Sequence, residues 1–203
     1  MLRTVLCAAA ALAAVALAPP AAQAQTYDLR PAVATQPAPV PPGTSYSEEE
    51  LVTAGHAFFG QTSGGLAQAI ETMTQSLGLP NGYVLGEEAS GAIIGGLRYG
   101  EGVLTTRAMG RHKVFWQGPS LGWDFGGSGA RVMMLVYHLR SPQDIMQRFG
   151  GVEGSAYLVG GLAMNVLAAD EIVIVPVRTG VGVRLGVNAG YLKFTPQPTW
   201  NPF

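Results

Sequence analysis

The sequence runs to 203 residues, with 12 Lys and Arg set against 13 Asp and Glu. That balance leaves no basic surface for nucleic acid or anionic lipid. One cysteine, Cys7, lies at the amino end, and 28 glycines accompany 48% hydrophobic residues, so the bulk of the chain reads as a disulfide-free, glycine-rich β protein.

Arg3 gives a short positive start, Val5 to Ala18 an apolar run, and Ala22-Gln23-Ala24 a small-x-small cleavage pattern. Residues 1–24 are therefore expected to be a signal peptide, because the run is too short to anchor in a bilayer. Such a segment implies export to the periplasm, with no transmembrane anchor left after cleavage. Residues 25–46 carry Pro31, Pro37, Pro39, Pro41 and Pro42, which lack amide donors and favour extended backbone. This stretch reads as a disordered tether.

Residues 47–80 form a helical segment. Ser47-Glu48-Glu49-Glu50 is a capping box that opens the first helix, and Leu51, Ala54, His56, Phe58 and Phe59 crowd its later turns. Leu66, Ile70, Met73 and Leu77 recur at helical spacing and predict a second helix over 66–77, ended by Pro80-Asn81-Gly82. The helices are expected to pack on, or plug, the β domain after them.

From Tyr83 the period changes to two, and residues 81–195 read as a β domain. Ala92 to Arg98 and Val103 to Arg107 flank Tyr99-Gly100-Glu101-Gly102, which suggests a tight hairpin. Lys113 to Gln117 and Leu121 to Phe125 flank a turn at Gly118-Pro119-Ser120. Arg131 to Leu139 is apolar on both faces, as in a sheet covered on both sides. Ser141-Pro142-Gln143-Asp144 opens a short helix ending near Phe149. Gly154 to Ala168, Ile172 to Val177, Val181 to Val187 and Tyr191 to Thr195 complete the series, with turns at Arg178-Thr179-Gly180 and Asn188-Ala189-Gly190. The fold class is mainly β: a small antiparallel barrel of about eight strands with two short N-terminal helices. Residues 196–203 are a proline-rich tail that cannot pair as a final strand, which argues against a membrane barrel.

Catalytic patterns are weak. Gly118-Pro119-Ser120-Leu121-Gly122 matches G-x-S-x-G, but no helix signal comes after Ser120, and His138 is the one histidine beyond it. A serine hydrolase using Ser120 is thus a disfavoured third reading. No histidine pair at metal-binding spacing exists, so no metal, cofactor or catalytic residue is assigned. Trp116, Trp123 and Phe125 gather around the turn, with Tyr99 and Phe115 nearby in sequence. Such aromatics can close a barrel end or line a pocket for an apolar or sugar-like ligand. The candidate ligand-binding residues are Trp116, Trp123, Phe125, Tyr99, Arg107 and Asp124, with Arg107 as the expected donor to Asp124 if that carboxylate is buried.

Gly95-Gly96-Leu97-Arg98-Tyr99-Gly100-Glu101-Gly102-Val103, then Arg107, Gly118-Pro119-Ser120 and Gly126-Gly127-Ser128-Gly129, resemble the SYLF (Ysc84-like) lipid-binding domain over about Ala92 to Thr195. The chain after Tyr46 resembles more closely the alphaproteobacterial EipA family. That resemblance implies a soluble periplasmic barrel supporting envelope integrity without an enzymatic activity, through an envelope component or envelope protein. The SYLF likeness implies the alternative, a lipid or small apolar-ligand binding protein.

Overall fold

In a computed structural model the described residues are 43–60, 64–91, 97–119, 130–179, 190–199 and 201. Helices α1 (Glu48–Phe59) and α2 (Leu66–Leu77) precede eight strands. These are β1 (Gly82–Gly91), β2 (Leu97–Thr106), β3 (Gly110–Pro119), β4 (Ala130–Tyr137), β5 (Arg148–Val159), β6 (Leu162–Ala169), β7 (Ile172–Thr179) and β8 (Tyr191–Thr195). They close into an antiparallel barrel in the order β1-β2-β3-β8-β5-β6-β7-β4. The expected fold class holds.

β4 shows why the barrel needs its helices. Val132, Met134 and Val136 point into the interior, where they meet Val84, Leu104, Val114, Trp116, Phe149 and Phe194. Met133, Leu135 and Tyr137 alternate onto the outer face and pack with Leu51, Leu66, Ile70 and Met73 of the helices. Both faces of this strand are apolar because both are covered. The helices therefore sheathe the outside of β4, β6 and β7 and do not plug the barrel.

The capping box predicted for α1 is present: the Ser47 hydroxyl accepts from the Glu50 amide, and the Glu50 carboxylate accepts from the Ser47 amide at 2.8 Å. α2 has no side-chain cap and starts instead against the β5–β6 hairpin. A Cβ added to Gly65 would lie 2.1 Å from the Gly160 carbonyl oxygen, so this approach requires glycine. Tyr46, placed at the end of the tether by sequence, belongs to the fold. It is buried, donates its amide to the Pro80 carbonyl at 2.9 Å and stacks edge-on with Tyr83. Among the described residues no helix is long and apolar enough to cross a membrane.

Tyr137 is the polar exception beneath the helices. Its hydroxyl is buried without a hydrogen-bond partner, and burial pushes its pKa up. Tyr137→Phe should leave stability unchanged or raise it by about 1 kcal/mol, because an unsatisfied buried polar group is removed. Urea unfolding checks this, and a clear loss of stability would contradict it.

Several boundaries differ from the sequence reading. Tyr99 to Gly102 is the middle of β2, paired on one side with Ala89 to Gly86 and on the other with Gln117 to Val114, not a hairpin. Its glycines serve packing: a Cβ on Gly100 would sit 2.2 Å from the Trp116 indole. Gly118 and Pro119 end β3 and pair with Arg98 and Leu97 instead of turning. Residues 142–145 make turns with three-residue hydrogen bonds rather than a helix, and Phe149 is a buried residue of β5. The strand read over Gly154 to Ala168 is two strands joined at Gly160-Gly161, both at positive φ. Arg178 and Thr179 extend β7. The strand expected at Val181 to Val187 lies outside the described residues.

Candidate functional site

Two polar arrangements occupy opposite sides of the β1–β3 wall. The first is inside. Glu88 succeeds Val84 and Gly86 on the inward face of β1 and is only 7% exposed. Its carboxylate accepts from the Trp116 indole at 2.9 Å and from the Arg178 guanidinium twice, at 3.2 Å each. Arg98 approaches to 3.8 Å and also donates to the Pro119 carbonyl at 2.9 Å, while Arg178 donates to the Asn165 side chain at 3.2 Å. Desolvation alone would raise the Glu88 pKa. The two guanidiniums and the hydrogen bonds from Arg178 and Trp116 outweigh it and hold the carboxyl below its ordinary value. Every donor and acceptor named here is spent on a neighbour, so the cluster is built to hold the barrel together.

The second arrangement is outside, and strand register creates it. Side chains opposite to Val114 and Trp116 on β3 are Phe115 and Gln117, which face outward. Pairing aligns Ala89, Tyr99, Gln117 and Lys193 in one row across β1, β2, β3 and β8. The adjacent row is Glu87, Glu101, Phe115 and Thr195. The β1, β2 and β3 members of these rows, with the intervening Glu88, Gly100 and Trp116 and with Pro198 and Thr199 of the tail, line an open groove of about 380 Å³. The tail is held back over this face by hydrogen bonds from Lys193 to the Asn201 carbonyl and from Thr195 to the Gln197 carbonyl. Gln117 accordingly points outward yet is 1% exposed, and its amide nitrogen has no hydrogen-bond partner. Lys113 lies 3.2 Å from the Glu101 carboxylate and 4.9 Å over the Phe115 ring.

Of the residues selected from sequence, the structure brings Tyr99 and Trp116 to this wall but on different sides of it. Both residues border the groove, but the Trp116 side chain is fully buried in the interior. Arg107 belongs elsewhere: it makes a bidentate ion pair with Glu50, donates to the Ser45 carbonyl at 3.0 Å and lies 4.7 Å over the Tyr46 ring. Its partner is therefore the α1 cap. The amide of Ser47, and then Arg107, hold the Glu50 carboxyl below its usual range. Trp123, Asp124, Phe125 and Ser120 lie outside the described residues. Glu88, Arg178 and Gln117 were not selected from sequence, and the signal that would have found Gln117 and Phe115 is the two-residue alternation measured from Trp116.

No group of three or more His, Cys, Asp or Glu converges among the described residues in a way that could hold a metal ion. His112 contacts the Met109 carbonyl at 2.7 Å and His138 the Glu171 carbonyl at 3.1 Å, so neither meets the groove.

A small closed barrel, sheathed on one side by its own helices and grooved on another, is the class of protein these features define. The model for the family of Envelope integrity protein A matches residues 44–203, and the chain belongs to that family. A beta-barrel-like, uncharacterized protein from Brucella abortus, known from a crystal structure, is similar at 63% identity with a TM-score of 0.73. The similarity covers 79% of this chain and 99% of that one. No curated protein matches the sequence.

Proposed function

We propose that this protein supports cell-envelope integrity from the periplasm without catalysis, by binding an envelope component on the outer face of its barrel. Membership of the Envelope integrity protein A family supports the envelope role. The observation that carries the binding role is the open groove of β1–β3, which places the Tyr99 and Phe115 rings and the Glu87 and Glu101 carboxylates on one wall beside the buried Gln117 carboxamide. Ligand sites combine such apolar surface with a few fixed polar groups.

A lipid-carrier reading of the SYLF type would need an apolar chamber. The inward positions from Val84 to Phe194 pack against one another as a hydrophobic core, which favours the external site. Deleting the gene should sensitise cells to detergent and to cell-wall antibiotics, and the intact gene should restore resistance. Unchanged sensitivity in the deletion strain would overturn the envelope role.

A further inference from the structure

We infer that the outer groove of β1–β3 is a binding site for a saccharide carrying a free ammonium group. The inference rests on the binding role proposed above and names the ligand class for the same groove.

The argument begins with a cost. Glu87 and Glu101 are direct cross-strand partners on one face, an arrangement of like charges that destabilises a sheet. Lys113 compensates Glu101, and it does so in a telling geometry, with its ammonium against both a carboxylate and an aromatic face. The wall thus already holds one ammonium by combined ion pairing and cation–π attraction. Glu87 is exposed and makes no ion pair among the described residues: Arg131, its cross-strand partner on β4, donates instead to the Phe58 carbonyl at 2.7 Å and lies over the Phe58 ring, and Ala89 and Tyr99 adjoin Glu87 across the next row. An incoming ammonium beside Glu87 would relieve the repulsion between the two carboxylates.

Charge alone does not explain the other end of the groove. Gln117 is buried at the groove that Pro198 and Thr199 also border, and its amide nitrogen is an orphan donor. Such a donor requires an acceptor, and the carboxamide can equally present its oxygen if turned over. A hydroxyl satisfies either orientation, being both donor and acceptor. Reaching it requires the groups that cover Gln117 to give way, since it is 1% exposed. The aromatic sides, Tyr99 and Phe115, suit the apolar faces of a pyranose ring, and the volume falls within the range of small-ligand pockets. An ammonium, hydroxyls and an apolar ring face occur together in an amino sugar. The net acidic lining disfavours phosphorylated or carboxylated ligands.

The test compares two tetrasaccharides that differ in N-acetylation and hence in charge. The full chain without its signal segment is titrated by calorimetry with fully deacetylated chitotetraose, with its N-acetylated counterpart, and with spermidine. The deacetylated tetramer should bind at least about tenfold more tightly than the other two, a difference of about 1.4 kcal/mol. Glu87→Gln and Tyr99→Ala should each weaken that binding about tenfold, while Tyr99→Phe retains it because stacking needs the ring and not the hydroxyl. Melting temperature verifies that each variant is folded. Equal binding of the N-acetylated tetramer would overturn the ammonium requirement. Equal binding of spermidine would overturn the saccharide, and no binding by any of the three overturns the site. Binding is read in vitro and envelope resistance in cells. A sensitised deletion strain with no saccharide binding therefore sinks this inference alone, and the reverse result sinks the envelope role alone.

Discussion

Replacing Glu88 with alanine should destabilise the barrel by about 3–5 kcal/mol, the usual cost of removing one partner from a buried ion pair. That is a large share of the roughly 5–15 kcal/mol by which domains are stable. The physical reason is asymmetry. One carboxylate serves two guanidiniums and an indole N–H, so its loss strands three donors in the interior. Removing either arginine strands less. Arg178→Met should cost more than Arg98→Met, since Arg178 makes two hydrogen bonds to the carboxylate and Arg98 approaches only to 3.8 Å. Urea unfolding at neutral pH gives all three values, and an Arg98→Met loss equal to that of Glu88→Ala would refute the account.

The same carboxylate carries a pH dependence. Its folded pKa is depressed, so its contribution is complete above the unfolded value of about 4.3 and is lost as pH falls through the folded value. Wild-type stability should therefore decline more steeply below about pH 4.3 than that of Glu88→Gln, in which no proton can be taken up at this position. Parallel curves for the two proteins in acid would sink the linkage.

The second large effect is steric. Trp116→Ala should cost about 3–5 kcal/mol through the cavity it leaves in the barrel. Gly100→Ala should cost about 1–3 kcal/mol, because its methyl carbon would stand 2.2 Å from a fully buried indole with little room to retreat. Combined, the substitutions should cost less than their sum, since the added methyl enters space the indole has vacated and strand glycine is itself unfavourable. Strict additivity in denaturant unfolding would mean that the two positions do not share that space.

These residues also show what a single sequence discloses. The capping box at Ser47, the spacing of Leu66, Ile70 and Met73, and the doubly apolar run at Arg131 to Leu139 all express local periodicity; both helices form as read, and the strand forms but ends at Tyr137. Gly100 misleads because glycine has two uses. In an open stretch it turns the chain, and beneath a tryptophan it makes room, and only the partner strand tells them apart. Glu88 gives no local sign at all. Its partners lie 10 and 90 positions away in sequence, at Arg98 and Arg178, and barrel closure brings them together. Tyr99 stands out in the sequence for its proximity to Trp116. Register places the two on opposite sides of one wall and moves the groove's second aromatic side to Phe115.

The position of the helices outside the barrel has a consequence for how the chain comes into being. Met133, Leu135, Tyr137, Val175 and Val177 form an apolar sheet surface that would invite self-association if left bare. Both helices that cover it are encoded before the first strand. A chain synthesised from its amino end thus has its shield in hand before the surface exists, and the most adhesive face of the barrel need never wait for its cover.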